Sequence, residues 1–329
     1  MRRVVGEDGI REAAALLCAG GIVAFPTETV YGLGADALSD TAVRRIFAAK
    51  GRPSDNPLIV HVADQEGARR LARRWSDLAE RLAARFWPGP LTLVVPARPE
   101  VASAARAGLD TVGVRCPNHP LALRLLRAAA LPLAAPSANR SGRPSPTTAE
   151  AVLEDLAGAD GLVLDGGPSG IGVESTVVDV STGMPVLLRP GGLGREELEA
   201  VAGPLLSVGD GAGAPRAPGM KYRHYAPTLP VRLLRLQPEA AIEMIRTHFD
   251  PADTAVLAAT AVRQALTAYR GVDLGPDADS AAAGLFEGLR RLEREPGLVR
   301  IVAVWSETRG RGLAVMNRLE KAAGEGHHV

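Results

Sequence analysis

Residues 20–34 read GGIVAFPTETVYGLG, and this stretch decides the fold class. The apolar run at residues 21–25 predicts a β-strand that ends at a proline. The polar residues 27–29, Thr-Glu-Thr, follow where the chain leaves the sheet. Ligands of open α/β sheets bind beyond the carboxyl ends of strands, so this turn is a candidate for a binding site. A hydroxyl-capped structural turn is the alternative, and it is favoured while the segment is considered alone.

Strands and helices alternate outward from this segment as far as residue 206. Short runs rich in Val, Ile and Leu predict further strands at 57–62, 91–95, 111–115, 133–135, 161–165, 175–180 and 185–189. Amphipathic stretches between them predict helices at 10–19, 41–50, 66–73, 78–86, 120–129, 148–156 and 195–202. This alternation predicts an α/β sandwich around a mostly buried sheet.

A change of composition after residue 206 predicts a second domain. Residues 207–218 read SVGDGAGAPRAP, which is rich in glycine and proline and indicates a linker, assigned here to residues 207–230. Beyond it, strands are predicted at 231–236, 254–259 and 298–304, with helices at 238–248, 281–294 and 312–323. The 329 residues therefore divide into a first domain at 1–206, the linker, and a smaller α/β domain at 231–329.

Composition excludes several classes of protein. Lys and Arg number 38 against 37 Asp and Glu, so a net charge of +1 argues against a strongly basic nucleic-acid coat. Cys18 and Cys116 lack the spacing of a disulfide scaffold or a zinc ribbon, which indicates a reducing compartment. Acidic residues near the N-terminus argue against a signal peptide, and no apolar run is long enough to span a membrane. We therefore predict a cytoplasmic protein without a membrane segment.

Single cations and hydroxyls recur at the predicted strand and helix ends, whereas phosphate-loop, G-x-G-x-x-G, H-E-x-x-H and G-x-S-x-G motifs are absent. The recurring residues are Lys50, Arg52, Arg115, Arg143 and Arg189 with Ser54, Ser137, Ser145 and Ser175. Without a nucleophile–base pair, they favour a reaction driven by positioning and charge neutralisation, such as adenylyl transfer with magnesium. This interpretation requires them to converge in one cavity.

Each of these residues also has a purely structural interpretation. Lys50 is one of only three lysines, which indicates a site for a compact ammonium, yet a cation before a C-capping glycine is common at helix ends. His61 lies in a predicted apolar strand, where a satisfied core histidine is more common than a catalyst. Arg115 ends a strand and is either half of a surface salt bridge or a bidentate partner for a carboxylate.

Motifs in a fixed order resemble a known family. FPTETVYGLG, KGRPSDNPLIVH, WPGPLT, PSANRSGRPSPT, GVESTVVD and LLRPGG resemble the YrdC-like domain of the threonylcarbamoyl-AMP synthases. PGMKYRHYAP and RGRGLAVMNRLEKAA resemble the long, two-domain form of that family. The resemblance implies a YrdC-like twisted mixed sheet with flanking helices, followed by a smaller Rossmann-like α/β domain.

The resemblance also implies an activity. The family condenses L-threonine, bicarbonate or CO2, and ATP into L-threonylcarbamoyl-adenylate with release of pyrophosphate, and a separate transferase then modifies an adenosine of tRNA. Lys50 and Arg52 are the implied catalytic residues, and magnesium is expected through the ATP phosphates rather than a protein metal site. The implied ATP residues are Lys50, Arg52, Ser54, Thr111, Ser137, Asn139, Ser145, Arg189 and Tyr225, and the implied threonine residues are Thr27, His61, Arg115 and Ser175. Arg115 is expected to bind the threonine carboxylate.

An RNA-binding module of the same YrdC-like fold is the alternative function. Tight binding to an RNA backbone needs several uncompensated cations, whereas the positive and negative charges of this chain nearly balance. Direct tRNA binding is therefore expected to be weak or absent. A carbamoyl-transfer maturation enzyme uses a related domain, but the zinc-finger cysteines and acylphosphatase-like segment of such chains are missing here. We further expect residues 219–227 to close over the pocket as a lid, with Tyr225 reaching the ligand.

Overall fold

The computed structural model of the protein describes residues 1–207 and 224–324. Within these residues the first part of the chain forms an 11-stranded mixed sheet and the second a four-stranded parallel sheet. The strands are β1 (Arg2–Val4), β2 (Val23–Phe25), β3 (Gly32–Asp36), β4 (Ile59–His61), β5 (Leu91–Pro96), β6 (Thr111–Arg115), β7 (Leu133–Ala134), β8 (Leu162–Leu164), β9 (Thr176–Asp179), β10 (Val186–Arg189), β11 (Leu206–Ser207), β12 (Val231–Leu234), β13 (Thr254–Ala258), β14 (Arg270–Asp273) and β15 (Arg300–Val304).

Helices cover the faces of both sheets. They are α1 (Gly6–Cys18), α2 (Asp40–Lys50), α3 (Gln65–Leu71), α4 (Asp77–Phe86), α5 (Ser103–Arg106), α6 (Pro120–Ala129), α7 (Ala149–Asp155), α8 (Arg195–Ala202), α9 (Pro238–His248), α10 (Thr260–Ala265), α11 (Ala278–Glu293) and α12 (Gly312–Ala323). No helix in the described part of the chain has the length and apolar character to cross a bilayer.

The strand order brings the ends of distant segments together. The larger sheet runs β1-β8-β2-β3-β7-β4-β6-β5-β9-β10-β11, so β4 and β6 are parallel neighbours although about 50 residues separate them. Their register places His61 opposite Arg115 at the carboxyl ends of the two strands. The smaller sheet runs β12-β15-β13-β14 and is parallel throughout, as in Rossmann-like domains.

The predicted fold class is confirmed, and each predicted strand and helix has a counterpart in the structure. The prediction missed β1, β3, β11 and β14 and the short helices α5 and α10. Strand β3 was missed because its sequence, GLGAD, lacks β-branched residues and resembles a turn. Its glycine is required by packing, since a Cβ on Gly34 would lie 2.7 Å from the ring of Phe25 on β2.

The two sheets are joined by a shared apolar core. Val30 and Val173, from loops of the larger sheet, are buried in the same cluster as residues of α11 and α12. Gly172 lies next to Val173 with φ +79°, and a Cβ there would stand 2.3 Å from the carbonyl oxygen of Ala282 on α11. Backbone therefore packs directly against backbone where the two parts meet. The domain boundaries themselves stay a prediction, because residues 208–223 lie outside the described residues.

Replacing Gly172 tests this contact. Gly172→Ala combines strain at positive φ with a clash against α11, and we expect it to lower stability by about 2–4 kcal/mol in urea unfolding. Gly170→Ala is the matched control, because a Cβ at Gly170 meets no atom within 4 Å, and it should stay within about 0.5 kcal/mol of the parent. Equal midpoints for the two variants would contradict the close approach.

Candidate active site

A cavity of about 680 Å³ opens where β4, β6 and β10 end and β9 begins. Ten of the thirteen side chains predicted for substrate contact line it, namely Thr27, Lys50, Arg52, His61, Arg115, Ser137, Asn139, Ser175, Arg189 and Tyr225. The scattered motifs therefore converge on one site.

The other three predicted residues lie elsewhere. Ser54 is exposed on the loop after α2. Thr111 lines a neighbouring cavity of about 270 Å³, which shares Ile59 with the first. Ser145 is buried behind the wall, where its hydroxyl donates to Glu174 Oε1 at 2.5 Å. Ser145 thus reaches the cavity only through Glu174, which is itself a lining residue.

Lys50 is held in the cavity wall by the end of α2. The helix begins after Ser39, whose side chain accepts from the Ala42 amide, and it stops at Gly51 with φ 60°. The buried Lys50 ammonium donates to the carbonyl of Ser137 at 2.5 Å and to that of Asn139. Burial, together with the nearby Arg52, places the Lys50 pKa well below its usual value. A bound anion would reverse this effect.

The loop after β7 is fixed by its own polar side chains. The Ser137 hydroxyl donates to Asn139 Oδ1 at 2.5 Å, and the Asn139 amide donates to the carbonyls of Arg140 and Arg143 at 2.7 and 2.9 Å. These bonds replace the secondary structure that the loop lacks. The serine and asparagine are therefore positioned before any ligand arrives.

The other end of the cavity carries a histidine and an ion pair. Arg115 Nη2 lies 2.8 Å from Glu28 Oε1, and both side chains are largely buried. Glu28 was not assigned to the site from the sequence, although it stands at the strand end that the motif pointed to. Burial and the neighbouring Arg115 lower the pKa of His61 to about 3, so its imidazole is neutral at physiological pH. The expectation that Arg115 binds a substrate carboxylate stays a prediction.

Ser175 and Arg189 form a third group on the wall. The Ser175 and Thr92 hydroxyls share a hydrogen bond of 2.8 Å. Arg189 Nη2 donates to the Ser175 carbonyl at 2.8 Å and approaches its hydroxyl oxygen at 3.2 Å. Strand ends β9 and β10 thereby place a cation and a hydroxyl side by side.

Sequence reasoning missed the contribution of the smaller domain to this site. Arg318 on α12 donates to Glu174 Oε2 at 2.9 Å, and its guanidinium lies 5.4 Å from the centre of the Tyr225 ring. Tyr225 adopts φ 64° and stacks on Phe286 of α11 at 5.3 Å. His224 also lines the cavity, and burial, with Arg52 nearby, lowers its pKa to about 4. Residues 219–223 of the predicted lid lie outside the described residues.

Comparisons with known proteins match the whole described chain. A family model described as telomere recombination covers residues 15–191, and one described as the C-terminal domain of threonylcarbamoyl-AMP synthase covers residues 193–324. Threonylcarbamoyl-AMP synthase of Bacillus subtilis is 47% identical over 322 residues, 96% of this chain and 93% of the relative. That of Pyrococcus abyssi is 47% identical over 333 residues, 98% and 96% of the two chains. The crystal structure of Pyrococcus abyssi Sua5 complexed with L-threonine matches with a TM-score of 0.90 at 44% identity, covering 100% of this chain and 98% of the other.

The chain belongs to the threonylcarbamoyl-AMP synthase family. The resemblance read from the motifs is therefore confirmed, and so is the expected order of a mixed sheet followed by a smaller parallel one. The family includes a second solved structure of the Pyrococcus abyssi protein, a double-alanine variant in which an adjacent histidine and tyrosine are replaced, with a TM-score of 0.90 at 42% identity.

Basic side chains outnumber acidic ones in the lining of the cavity, and two of them are paired with carboxylates outside the lining, Arg115 with Glu28 and Arg143 with Asp155 and Glu293. Among the described lining residues there are five basic side chains, Lys50, Arg52, Arg115, Arg143 and Arg189, against the one carboxylate of Glu174. That carboxylate is already paired with Arg318. A concentration of cations in a partly dry site favours a ligand with several negative charges, such as a polyphosphate.

The buried neutral histidine makes stability depend on pH. His61 has a pKa of about 3 in the folded chain and about 6.5 when unfolded, so between these values the unfolded chain binds more protons and stability falls as pH falls. Between pH 7 and pH 5 this histidine alone should remove about 2 kcal/mol. We expect His61→Gln to lose correspondingly less stability than the parent over that interval in urea unfolding. His248→Gln, at an exposed position on α9, is the control and should keep the parental slope; a parental slope in His61→Gln would contradict the assignment.

Proposed function

We propose that this chain is a nucleotidyltransferase that forms L-threonylcarbamoyl-AMP from L-threonine, bicarbonate or CO2, and ATP with magnesium. The observation that carries the proposal is the cavity, in which Lys50, Arg52, Ser137 and Asn139 lie together with His61, Arg115 and Ser175. One part of this wall suits a triphosphate and the other suits a small hydroxylated amino acid. Membership of the synthase family supports the same reaction.

The reaction has two bond-forming steps. The neutral threonine amine attacks the carbon of CO2 and gives one proton to solvent, which leaves a carbamate; when bicarbonate is the source, that proton and the bicarbonate hydroxyl leave together as water. A carbamate oxygen then attacks the α-phosphorus of ATP and the bond to the β-phosphate oxygen breaks, giving threonylcarbamoyl-AMP and pyrophosphate. Since the carbamate is unstable in water, the protein must hold it next to the nucleotide in a shielded cavity.

The residues of the nucleotide end neutralise charge rather than exchange protons. Lys50 and Arg52 are proposed to contact the phosphates, where negative charge develops on the departing pyrophosphate. Magnesium is proposed to arrive on the ATP phosphates, which supply its oxygen ligands. The basic lining supports this arrangement because fixed cations and the metal share the charge of one triphosphate.

The residues around Arg115, at the end of the cavity proposed for threonine, bind the substrate and take no part in bond making. Arg115 is proposed to bind the threonine carboxylate, with the Thr27 and Ser175 hydroxyls and the neutral His61 within the same wall. Glu28, which is not among the lining residues, lies 2.8 Å from Arg115 and limits the rotation of its guanidinium. The pocket thus pairs a planar cation with uncharged hydrogen-bonding groups, which favours a small polar amino acid.

The product requires a second enzyme. Threonylcarbamoyl-AMP is a reactive mixed anhydride, so we propose that a tRNA threonylcarbamoyl transferase receives it and completes the modification of tRNA adenosine. Direct tRNA binding by this chain is proposed to be weak, which its net charge of +1 supports. The free thiols of Cys18 and Cys116 support a reducing, cytoplasmic location.

Product formation tests the proposal directly. The protein is incubated with ATP, magnesium, bicarbonate and each of several amino acids, and the adenylate is detected by mass. We expect product with threonine, and Lys50→Met should reduce kcat/KM by about 10²–10³-fold because it removes a cation from the developing charge. Arg73→Met, on the exposed loop after α3, is the control and should keep parental activity. ATP hydrolysis without regard to the amino acid would refute the proposal.

The role of Arg115 is tested separately. Arg115→Lys keeps the charge but loses the planar fork, so KM for threonine should rise about 10–100-fold while KM for ATP changes by about twofold or less. Steady-state kinetics with each substrate varied in turn measures both constants. A rise in the ATP constant with an unchanged threonine constant would place Arg115 at the wrong end of the cavity.

A further inference from the structure

Two arginines of the smaller domain are buried against the larger one. Arg290 on α11 and Arg318 on α12 are both fully buried. Arg290 pairs with Asp155 at 2.6 Å and donates to the carbonyl of Pro144. Arg318 makes the same kind of contacts with Glu174, at 2.9 Å, and with the carbonyl of Pro190, at 2.7 Å. Each arginine therefore joins the domains through one carboxylate and one proline carbonyl.

The two arginines differ in whether their carboxylate partners line the cavity. Glu174 lines the catalytic cavity, whereas Asp155 is not among its described lining residues. Arg318 also lies over the ring of Tyr225, a second lining residue. Asp155 contacts the lining residue Arg143, which has Glu293 as a further partner.

We propose that Arg318 is a positioning residue of the synthase reaction, which holds Glu174 and Tyr225 in the cavity wall and so makes the smaller domain part of the active site. The proposal rests on the function proposed above and assigns a role in it to a residue outside the larger sheet.

The physical reason lies in the basic lining of the cavity. Glu174 is buried, and its two carboxylate oxygens accept hydrogen bonds from Ser145 and Arg318, neither of which is among the lining residues of the cavity. Burial alone raises its pKa, but Arg318, Arg189 and the Ser145 hydroxyl hold that pKa below its ordinary value, so the group is a carboxylate. Without Arg318 this charge loses its buried partner and pairs instead with the cations that line the cavity. It would then compete with the phosphates of ATP.

The same guanidinium fixes the aromatic side of the wall. Tyr225 is held between Arg318 and Phe286, with its backbone in the left-handed region at φ 64°. A non-glycine residue keeps such a conformation only when its surroundings impose it. Loss of the cation–π contact removes one of the contacts that impose it.

The two arginines provide a matched pair of variants. Arg318→Met and Arg290→Met each remove one fully buried guanidinium of the same domain while keeping much of the apolar stem. Both variants should lower the urea midpoint, Arg318→Met by at least as much as Arg290→Met, because Glu174 loses its paired guanidinium whereas Asp155 keeps Arg143. KM for ATP and the Kd of ATP measured by calorimetry should rise about tenfold or more in Arg318→Met, and by about threefold or less in Arg290→Met.

A second variant separates charge from packing. In Arg318→Met/Glu174→Gln the amide keeps a hydrogen-bonding partner for Ser145 and removes the unpaired charge. The double variant should therefore bind ATP more tightly than Arg318→Met, a coupling that damage to domain packing alone does not produce. Arg318→Lys, which keeps the cation, should fall between the parent and Arg318→Met, and it replaces Arg318→Met if that variant does not fold.

Two outcomes would overturn the role of Arg318. One is a parental Kd for ATP in a folded Arg318 variant, and the other is parallel loss of affinity and midpoint in the Arg318 and Arg290 variants without recovery in the double variant. Failure of the proposed function would be observed differently, because the parent itself would then make no threonine-dependent adenylate. The calorimetric comparison of ATP affinity decides the role of Arg318 in that case as well.

Discussion

A carboxylate buried in the wall of a cavity lined by several cations must have a cation fixed beside it, and in this chain the guanidinium of Arg318 is that cation. Glu174 belongs to the larger domain and Arg318 to the smaller one, so the electrostatics of the cavity depend on how the two domains pack. That packing is close, with backbone against backbone at Gly172 and a shared apolar core around Val173. This packing holds Arg318 beside Glu174.

The larger domain also holds several positively charged side chains close together. Five basic side chains around one cavity repel one another, and the chain restrains them by attaching them to different rigid elements. Lys50 is fixed by carbonyls of the Ser137 loop, Arg115 by Glu28, and Arg189 by the backbone of Ser175. Most of these restraints are backbone carbonyls, which disperse positive charge without cancelling it. The site is thus prepared for an anion before the anion binds.

Much of this arrangement could be predicted from the sequence. Alternating apolar runs and amphipathic stretches gave the α/β class, because strand and helix periods are local properties of the chain. Cations and hydroxyls at strand and helix ends predicted part of the cavity lining, and the family resemblance added Thr27, His61, Asn139 and Tyr225, which no local pattern distinguished from structural residues. Strand β3 was not predicted because its glycines leave space for the ring of Phe25 on β2. This contact is with a neighbouring strand, so no local sequence pattern records it.

The residues that were missed share a physical cause. Arg318 and Arg290 lie on amphipathic helices where an arginine is ordinarily exposed, and about 140 residues separate each from its carboxylate. Glu174 stands inside a motif, but only its burial between Ser145 and Arg318 shows that its charge is used. Charge in a sequence is counted residue by residue, whereas the effective charge of a site depends on which carboxylates are already paired. A chain with a net charge of +1 can therefore present a cavity with a mainly basic lining, because carboxylates such as Glu28, Asp155 and Glu293 pair with its arginines without lining it themselves.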